Sequence, residues 1–254
     1  MGGLIAALYG VVAYVIFLAT LLCAVGFVEN LGPWKTIDSS AREGLGGAIA
    51  VNIALLGVFA VQHSVMARRG FKRWWTKFVP EAVERSTYVL FSSLALILLF
   101  AYWRPIPTVL WSVSGAAAWI LMGISWLGWA MALVSTFLLS HLEFFGLSQA
   151  TARFRSRKTP EAGFRTPALY RFVRHPLYLG FLFAFWATPV MTGGHLLFAL
   201  ATTGYLLVGI ALEERDLVAQ FGEAYRGYRR EVPMLLPLPG RVLRSDRAPA
   251  IRER

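Results

Sequence analysis

The chain has 254 residues, 57% hydrophobic and 15% charged, with a net charge of +11. A soluble domain carries about 25% charged residues, so an ordinary soluble protein is excluded. A single cysteine, Cys23, excludes a disulfide framework and thiolate-ligated metal centres. No GxxxxGK phosphate loop or GxGxxG turn is present, which removes soluble nucleotide-binding folds.

The charge deficit is concentrated in five uncharged stretches: Met1–Val28, Gly44–Ala67, Ser86–Trp103, Pro105–Leu142 and His175–Leu212. Each reaches the roughly 18–20 apolar residues that cross a bilayer. The fold class is therefore all-α, a polytopic integral membrane bundle of five to six spans. Met1–Val28 has no Lys or Arg, and its apolar run exceeds the roughly 7–15 residues of a signal peptide, so it is expected to stay as a helix. The second and third stretches give one span each. The last two would each be about 57 Å long as unbroken helices, nearly twice a hydrocarbon core of about 30 Å. After Pro107 the fourth reads as one long helix that protrudes from the membrane. The fifth holds Pro189, Gly193 and Gly194, which are breaker signals. It reads as a hairpin, Leu177 to about Thr188 and His195 to Leu212.

Basic residues set the sides. The Arg68–Arg85 connection has six, Glu143–Arg174 has seven and the chain after Leu212 has nine, whereas Arg104 stands alone and the hairpin tip has none. This alternation places both termini in the cytoplasm, with the bilayer as partner; it fits a bacterial and an endoplasmic membrane alike, and a bacterial cytoplasmic membrane is the expectation. It also gives the positive charge a membrane explanation, so no nucleic-acid partner is expected. The polar segment Ala150–Thr166 reads as a loop and Arg241–Arg254 as a frayed tail. Four units are expected: 1–142 as N-terminal transmembrane helices, 143–174 as a cytoplasmic connection, 175–237 as a C-terminal core and 238–254 as a flexible tail.

Chemistry concentrates around the hairpin. Arg174-His175-Pro176-Leu177-Tyr178-Leu179-Gly180 opens it and Glu213-Glu214-Arg215-Asp216-Leu217 closes it. Pro176 suits a first helical turn, where its missing N–H would be unpaired anyway. The hairpin brings Arg174, His175 and Tyr178 towards Glu213 and Glu214. Beyond it, Leu217, Phe221, Tyr225 and Tyr228 share a helical face, with a break at Gly222 and a stop before Pro233. Taken singly, each piece has an ordinary reading as a topology signal, a solvated cap or a lipid-surface helix. Together they make a closed polar pocket.

Arg-His-Pro-Leu-Tyr-Leu-Gly, then Glu-Glu-Arg-Asp-Leu, then Phe221-Gly222-Glu223-Ala224-Tyr225-Arg226-Gly227-Tyr228 and Val232-Pro233 resemble the integral-membrane methyltransferase superfamily of isoprenylcysteine carboxyl methyltransferases and phospholipid N-methyltransferases. The resemblance covers about residues 170–237. It implies S-adenosylmethionine as cofactor, bound by His175, Tyr178, Glu213, Glu214, Tyr225 and Arg229, with Arg174 at the cofactor carboxylate or the substrate. Gln62-His63-Ser64-Val65-Met66-Ala67-Arg68, Phe71–Thr76, Glu84–Leu90 and Ser140-His141-Leu142-Glu143-Phe144-Phe145-Gly146-Leu147 are similar to the methanethiol S-methyltransferase branch. Membrane proteins associated with nitric-oxide reduction share a similar front half. Where isoprenylcysteine enzymes often carry Asn-Pro near the hairpin tip, this chain has Thr188-Pro189.

That branch implies a small thiol substrate, methanethiol, methylated to dimethyl sulfide. The nucleophile is the thiolate, and with a reference cysteine pKa of about 8.5 little is present near neutrality. His141 or Glu143 is the expected proton acceptor or relay, and His63 and Tyr88 the expected substrate pocket. An isoprenylcysteine carboxylate or a phospholipid amine is the alternative acceptor. A transporter or structural subunit would instead need ionisable residues at mid-membrane, where Asn52 and Gln62 are the weak candidates. His195 falls at the hairpin tip and is excluded from the site. Four dispersed histidines lack zinc-ligand spacing, so no metal is expected. Trp111, Trp119, Trp126 and Trp129 are expected to share much of one face of the fourth span, as packing or lipid contact.

Overall fold

The computed structural model describes residues 2–40, 44–154 and 166–238. Residues 239–254 of the expected tail and 155–165 of the expected loop lie outside them; residues 150–154, also expected as loop, are helical, because the helix that starts at Leu147 runs on to Phe154. Among the described residues, five helices are long and apolar enough to cross a membrane: α1 (Gly3–Val28), α2 (Leu45–Ala67), α4 (Glu81–Tyr102), α5 (Gly115–Leu138) and α9 (Gly193–Phe221). Between them lie α3 (Arg69–Trp75), α6 (His141–Phe144), α7 (Leu147–Phe154) and the short apolar α8 (Pro176–Trp186). Strands β1 (Val109–Ser112) and β2 (Val190–Thr192) and the terminal helix α10 (Glu223–Glu231) complete the order. The protein is an integral membrane helical bundle.

Two expectations about the long stretches are corrected. The fourth is not one protruding helix. Past Pro107, Val109–Ser112 is extended and pairs antiparallel with β2, Val109 opposite Thr192 and Ser112 opposite Val190. Helix α5 begins only at Gly115, whose φ of +65° suits glycine. It ends at Leu138, because Ser140 takes a left-handed φ of +70°. Trp111 therefore lies on β1 rather than on the span. Trp119 and Trp126 face outward, while Trp129 is buried. The hairpin is likewise asymmetric. Its first helix ends at Trp186, Gly193 and Gly194 start α9 rather than form the turn, and α9 runs nine residues past Leu212. The Thr192 hydroxyl caps α9 by accepting from the His195 N–H at 3.0 Å. Nothing in Glu213–Gln220 breaks a helix, so the break falls at Gly222, φ +57°.

The core is aromatic. Phe27, Phe100, Trp103, Trp129, Phe185 and Phe198 pack together at the level of the hairpin tip. Mostly edge-to-face pairs such as Trp103 on Phe198, 5.9 Å between centroids, join α1, α4, α5, α8 and α9. Polar groups here are paired: Asn52 accepts from the Arg104 N–H at 2.8 Å and donates to the Arg104 carbonyl at 2.7 Å. The Glu29 carboxylate accepts from Ser125 and from the Trp129 indole at 2.8 Å. Asn52 and Glu29 thus serve packing, as an unpaired polar group in hydrocarbon costs several kcal/mol.

Helices α5 and α8 meet backbone to backbone. A Cβ at Gly128 would lie 2.5 Å from the Gly180 carbonyl oxygen, and one at Gly180 would lie 2.6 Å from that of Gly128. Small residues permit this approach in membranes, where close packing replaces the hydrophobic effect. It holds the start of α8, and so Arg174 and His175, against the bundle. Gly180→Val is expected to destabilise the protein by at least about 2 kcal/mol through overpacking, read as a lowered thermal midpoint in detergent. Gly57→Val, where nothing lies within 4 Å, should leave it nearly unchanged.

Candidate active site

The hairpin mouth is assembled by one buried carboxylate. Glu214, one turn past the buried Ile210 on α9, is 6% exposed. Its Oε1 accepts from Arg174 Nε at 2.7 Å and from His175 Nε2 at 3.1 Å, and its Oε2 faces Arg229 Nε at 3.2 Å. Arg174 also donates to the carbonyls of Arg229 and Val232. The backbone N–H groups of Arg174 and His175 reach the carbonyls of Pro233 and Met234 at 2.9 and 3.1 Å. One ionic node therefore fastens α8, α9 and the segment after α10. The neighbouring Glu213 points the other way, where Tyr178 donates to its Oε2 at 2.8 Å. Its side chain stays 45% exposed, as does that of Arg229.

Glu214 and Arg229 also line a cleft of about 440 Å³ with walls of Leu207, Ile210, Val218 and Met234. The size is within the range of small-molecule sites. Tyr225 is buried against Tyr228 beside Leu217, Val218 and Phe221. Burial pushes both phenols up, so they remain protonated; Tyr228 donates to the Tyr170 carbonyl. Tyr225 packs behind the walls of this cleft and supports the fold of α10.

A second polar group lies between α2, α4 and α9. Ser92 donates to the Tyr88 carbonyl at 2.9 Å, one turn back, so its oxygen accepts from His63 Nδ1 at 3.0 Å. That leaves His63 Nε2 as the acceptor for the Tyr88 hydroxyl at 2.7 Å. The result is a neutral imidazole with its basic nitrogen turned to a phenol. Arg85 lies over the Tyr88 ring at 5.4 Å. Tyr205 of α9 packs on Phe59 and His63, with ring centroids 5.8 and 6.3 Å away. Its ring thereby borders the His63–Tyr88 pair from α9. Sequence reasoning missed Tyr205, although its spacing of eight residues from Glu213 puts both on one helix face.

His141 is built the same way elsewhere. Thr136 donates to the Leu133 carbonyl and accepts from His141 Nδ1 at 2.7 Å, so Nε2 accepts from the Tyr14 hydroxyl at 2.7 Å. The ring stacks on Phe137 at 4.2 Å and meets Phe145 at 4.8 Å. Both nitrogens are thus engaged inside an aromatic box. Among the described residues no group pairs with the Glu143 carboxylate. His195 is buried at the tip end and donates Nε2–H to the Phe185 carbonyl at 2.8 Å. Among the described residues no three of His, Cys, Asp and Glu converge as a metal site.

Burial holds the His141 imidazole below its ordinary value of 6.5. The unfolded chain therefore binds the proton first on acidification. The contribution is complete above about pH 6.5 and is lost as the pH falls through the depressed folded value. Thermal midpoints from pH 7.5 to 5 should fall more steeply for the wild type than for His141→Gln. Glu214→Gln would leave Arg174 and His175 buried without their counter-charge. It is expected to cost about 3 kcal/mol or more in detergent unfolding.

A family model described as NnrU protein matches residues 51–219. The chain is 58% identical over 230 residues to a protein of Bradyrhizobium diazoefficiens named Methanethiol S-methyltransferase 2, covering 91% of this chain and 89% of the relative. It is 54% identical over 235 residues to the Methanethiol S-methyltransferase of Mycobacterium tuberculosis, covering 92% and 96%. Nurim of Sus scrofa is 33% identical over 183 residues, covering 66% and 68%. No solved structure matches the chain.

Proposed function

The chain belongs to the NnrU protein family, and from that premise we propose that it is an S-adenosylmethionine-dependent methyltransferase that converts methanethiol to dimethyl sulfide. The names of relatives at 58% and 54% identity over nine-tenths of the chain support the reaction. The observation that carries it here is the convergence of Tyr178, Glu213, Glu214 and Arg229 at one hairpin mouth beside the His63–Tyr88 pair.

The side chains present fit such a donor. Its amino-acid end needs a carboxylate and a guanidinium, which Glu214 and Arg229 offer in one cleft with apolar walls. Glu213 and Tyr178 add an acceptor and an aromatic face on the other side of the node. His175 and Arg174 act by holding Glu214 in place, and Tyr225 by supporting α10. When bound, S-adenosylmethionine supplies a sulfonium methyl that is already activated. The protein must then orient a thiol and remove its proton, and orientation alone can contribute about 7–11 kcal/mol in well-arranged systems.

His63 and Tyr88 are placed for the proton. The Tyr88 oxygen can take the thiol proton as its own passes to His63 Nε2, leaving an imidazolium whose Nδ1–H stays on Ser92. S-adenosylmethionine held at Glu214 and Arg229 would supply the methyl group for the thiolate sulfur and would leave as a neutral thioether. The Arg85 guanidinium beside Tyr88 favours developing thiolate charge. His141, with both nitrogens occupied, is assigned the positioning of α6 against α1 and α5, and Glu143 has no assigned proton role. Residues 1–142 thereby supply the acceptor side and 175–237 the donor side. The basic residues Arg68, Arg69, Lys72, Arg73 and Arg174 share the mouth end, which supports a cytoplasmic site and cytoplasmic termini.

Purified protein with methyl-labelled S-adenosylmethionine and methanethiol should release labelled dimethyl sulfide. Labelled lipid instead would favour a phospholipid or prenyl acceptor. His63→Ala and Tyr88→Phe should each lower kcat by about 10²–10⁴, with donor affinity retained by calorimetry. Wild-type turnover in both would refute the proton relay.

A further inference from the structure

The inner stripe of α9 has a gap in it. At 100° per residue, Thr202, Tyr205, Leu206, Gly209, Leu212, Glu213 and Asp216 share one side. All of these except Gly209 carry side chains, and all seven are buried or half-buried on the side that meets α2 and α8; the buried Ile210 and Glu214 adjoin this stripe towards the cleft, and Gly204, Leu207, Val208, Ala211 and Arg215 are exposed. Gly209 is at the centre of this inward stripe. Yet nothing lies within 4 Å of where its Cβ would be. An inward position in a packed bundle normally has neighbours, since protein interiors are close-packed.

The walls of this space are known from the residues one turn away. Tyr205 packs against Phe59 and His63 on α2, Glu213 accepts from Tyr178 of α8, and Asp216 meets Arg68 of α2 at 3.2 Å. The empty position therefore lies between the proton-accepting His63–Tyr88 pair and the Tyr178–Glu213 contact. The rings of Phe59 and Tyr205 flank it beside polar groups, which suits a small, weakly polar guest such as an alkyl thiol.

We infer that the space over Gly209 is the acceptor pocket, and that the absence of a side chain at this position sets how large a thiol the protein methylates. This rests on the proposed methyl transfer and names the residue that determines its specificity. Any residue larger than glycine would intrude on the guest. Alanine and valine at 209 should be tolerated structurally, because the space is open and alanine is the better helix former.

The test uses the full chain in detergent with methanethiol and ethanethiol, the latter read by its Ki against methanethiol turnover. Gly209→Ala should weaken ethanethiol more than methanethiol, by about tenfold, the usual worth of a methylene in a filled pocket. Gly209→Val should raise the methanethiol KM by about tenfold or more while S-adenosylmethionine affinity stays within about twofold. Gly204→Val, the same change on the exposed side of the same helix, should match the wild type in all three quantities. Wild-type KM and Ki in Gly209→Val, equal impairment in Gly204→Val, or a parallel loss of donor affinity would overturn the assignment. A wild-type protein that methylates no thiol would instead overturn the proposed function, and this inference with it.

Discussion

A single carboxylate organises the mouth of the bundle. Glu214 is removed from solvent and could not be so as an isolated ion, since burying one charge costs several kcal/mol even after relaxation. Arg174, His175 and Arg229 offset that cost together. Because these partners come from the start of α8 and from α10, satisfying Glu214 closes the hairpin and folds the chain end back over it. The carbonyls of Arg229 and Val232, left over at the end of α10, are taken up by the same guanidinium. Everything that faces the cleft inherits its position from this node.

Within the bundle, polar chemistry survives because each hydroxyl is first satisfied locally. Ser92, Ser93 and Thr87 on α4 each donate to the carbonyl one turn back, at 2.8–2.9 Å. The same geometry recurs at Thr136 on α5, which bonds Leu133. A hydroxyl used this way becomes an acceptor only. It then dictates which nitrogen of the adjacent histidine carries the proton, and so turns the basic nitrogen towards a tyrosine. His63 and His141 are set alike by this rule. They differ in surroundings: phenylalanines pack around His141, whereas His63 adjoins Tyr205 and the open seam of α9. In the proposed mechanism it is environment, rather than residue type, that separates the structural His141 from the proton-accepting His63.

Packing and emptiness play opposite roles in the same helices. Gly128 and Gly180 admit another backbone and so fix α8 rigidly, while Gly209 admits no protein atom. In a bilayer the difference matters, because close van der Waals fit is what holds helices together and a gap forfeits it. An unfilled inward position is a loss of stability unless a guest occupies it.

Composition and charge placement were enough to read the first three spans, the presence of a hairpin and the ends at which Arg174, His175, Tyr178, Glu213 and Glu214 converge. Each depends on local rules: apolar length, breaker residues and the cost of charge in hydrocarbon. The β1–β2 ribbon could not be read, because Val109–Ser112 is apolar enough to continue a helix and is extended only by pairing with a strand some eighty residues later. Nor could the roles of His63 and His141 be told apart. Both follow the same pattern of a histidine near a span end, and what distinguishes them is which side chains from distant helices surround each ring. Tyr205 and Gly209 stayed silent for the same reason: in the linear chain one is an aromatic among many and the other a glycine among 23, and they gain meaning only from the helix that α9 faces.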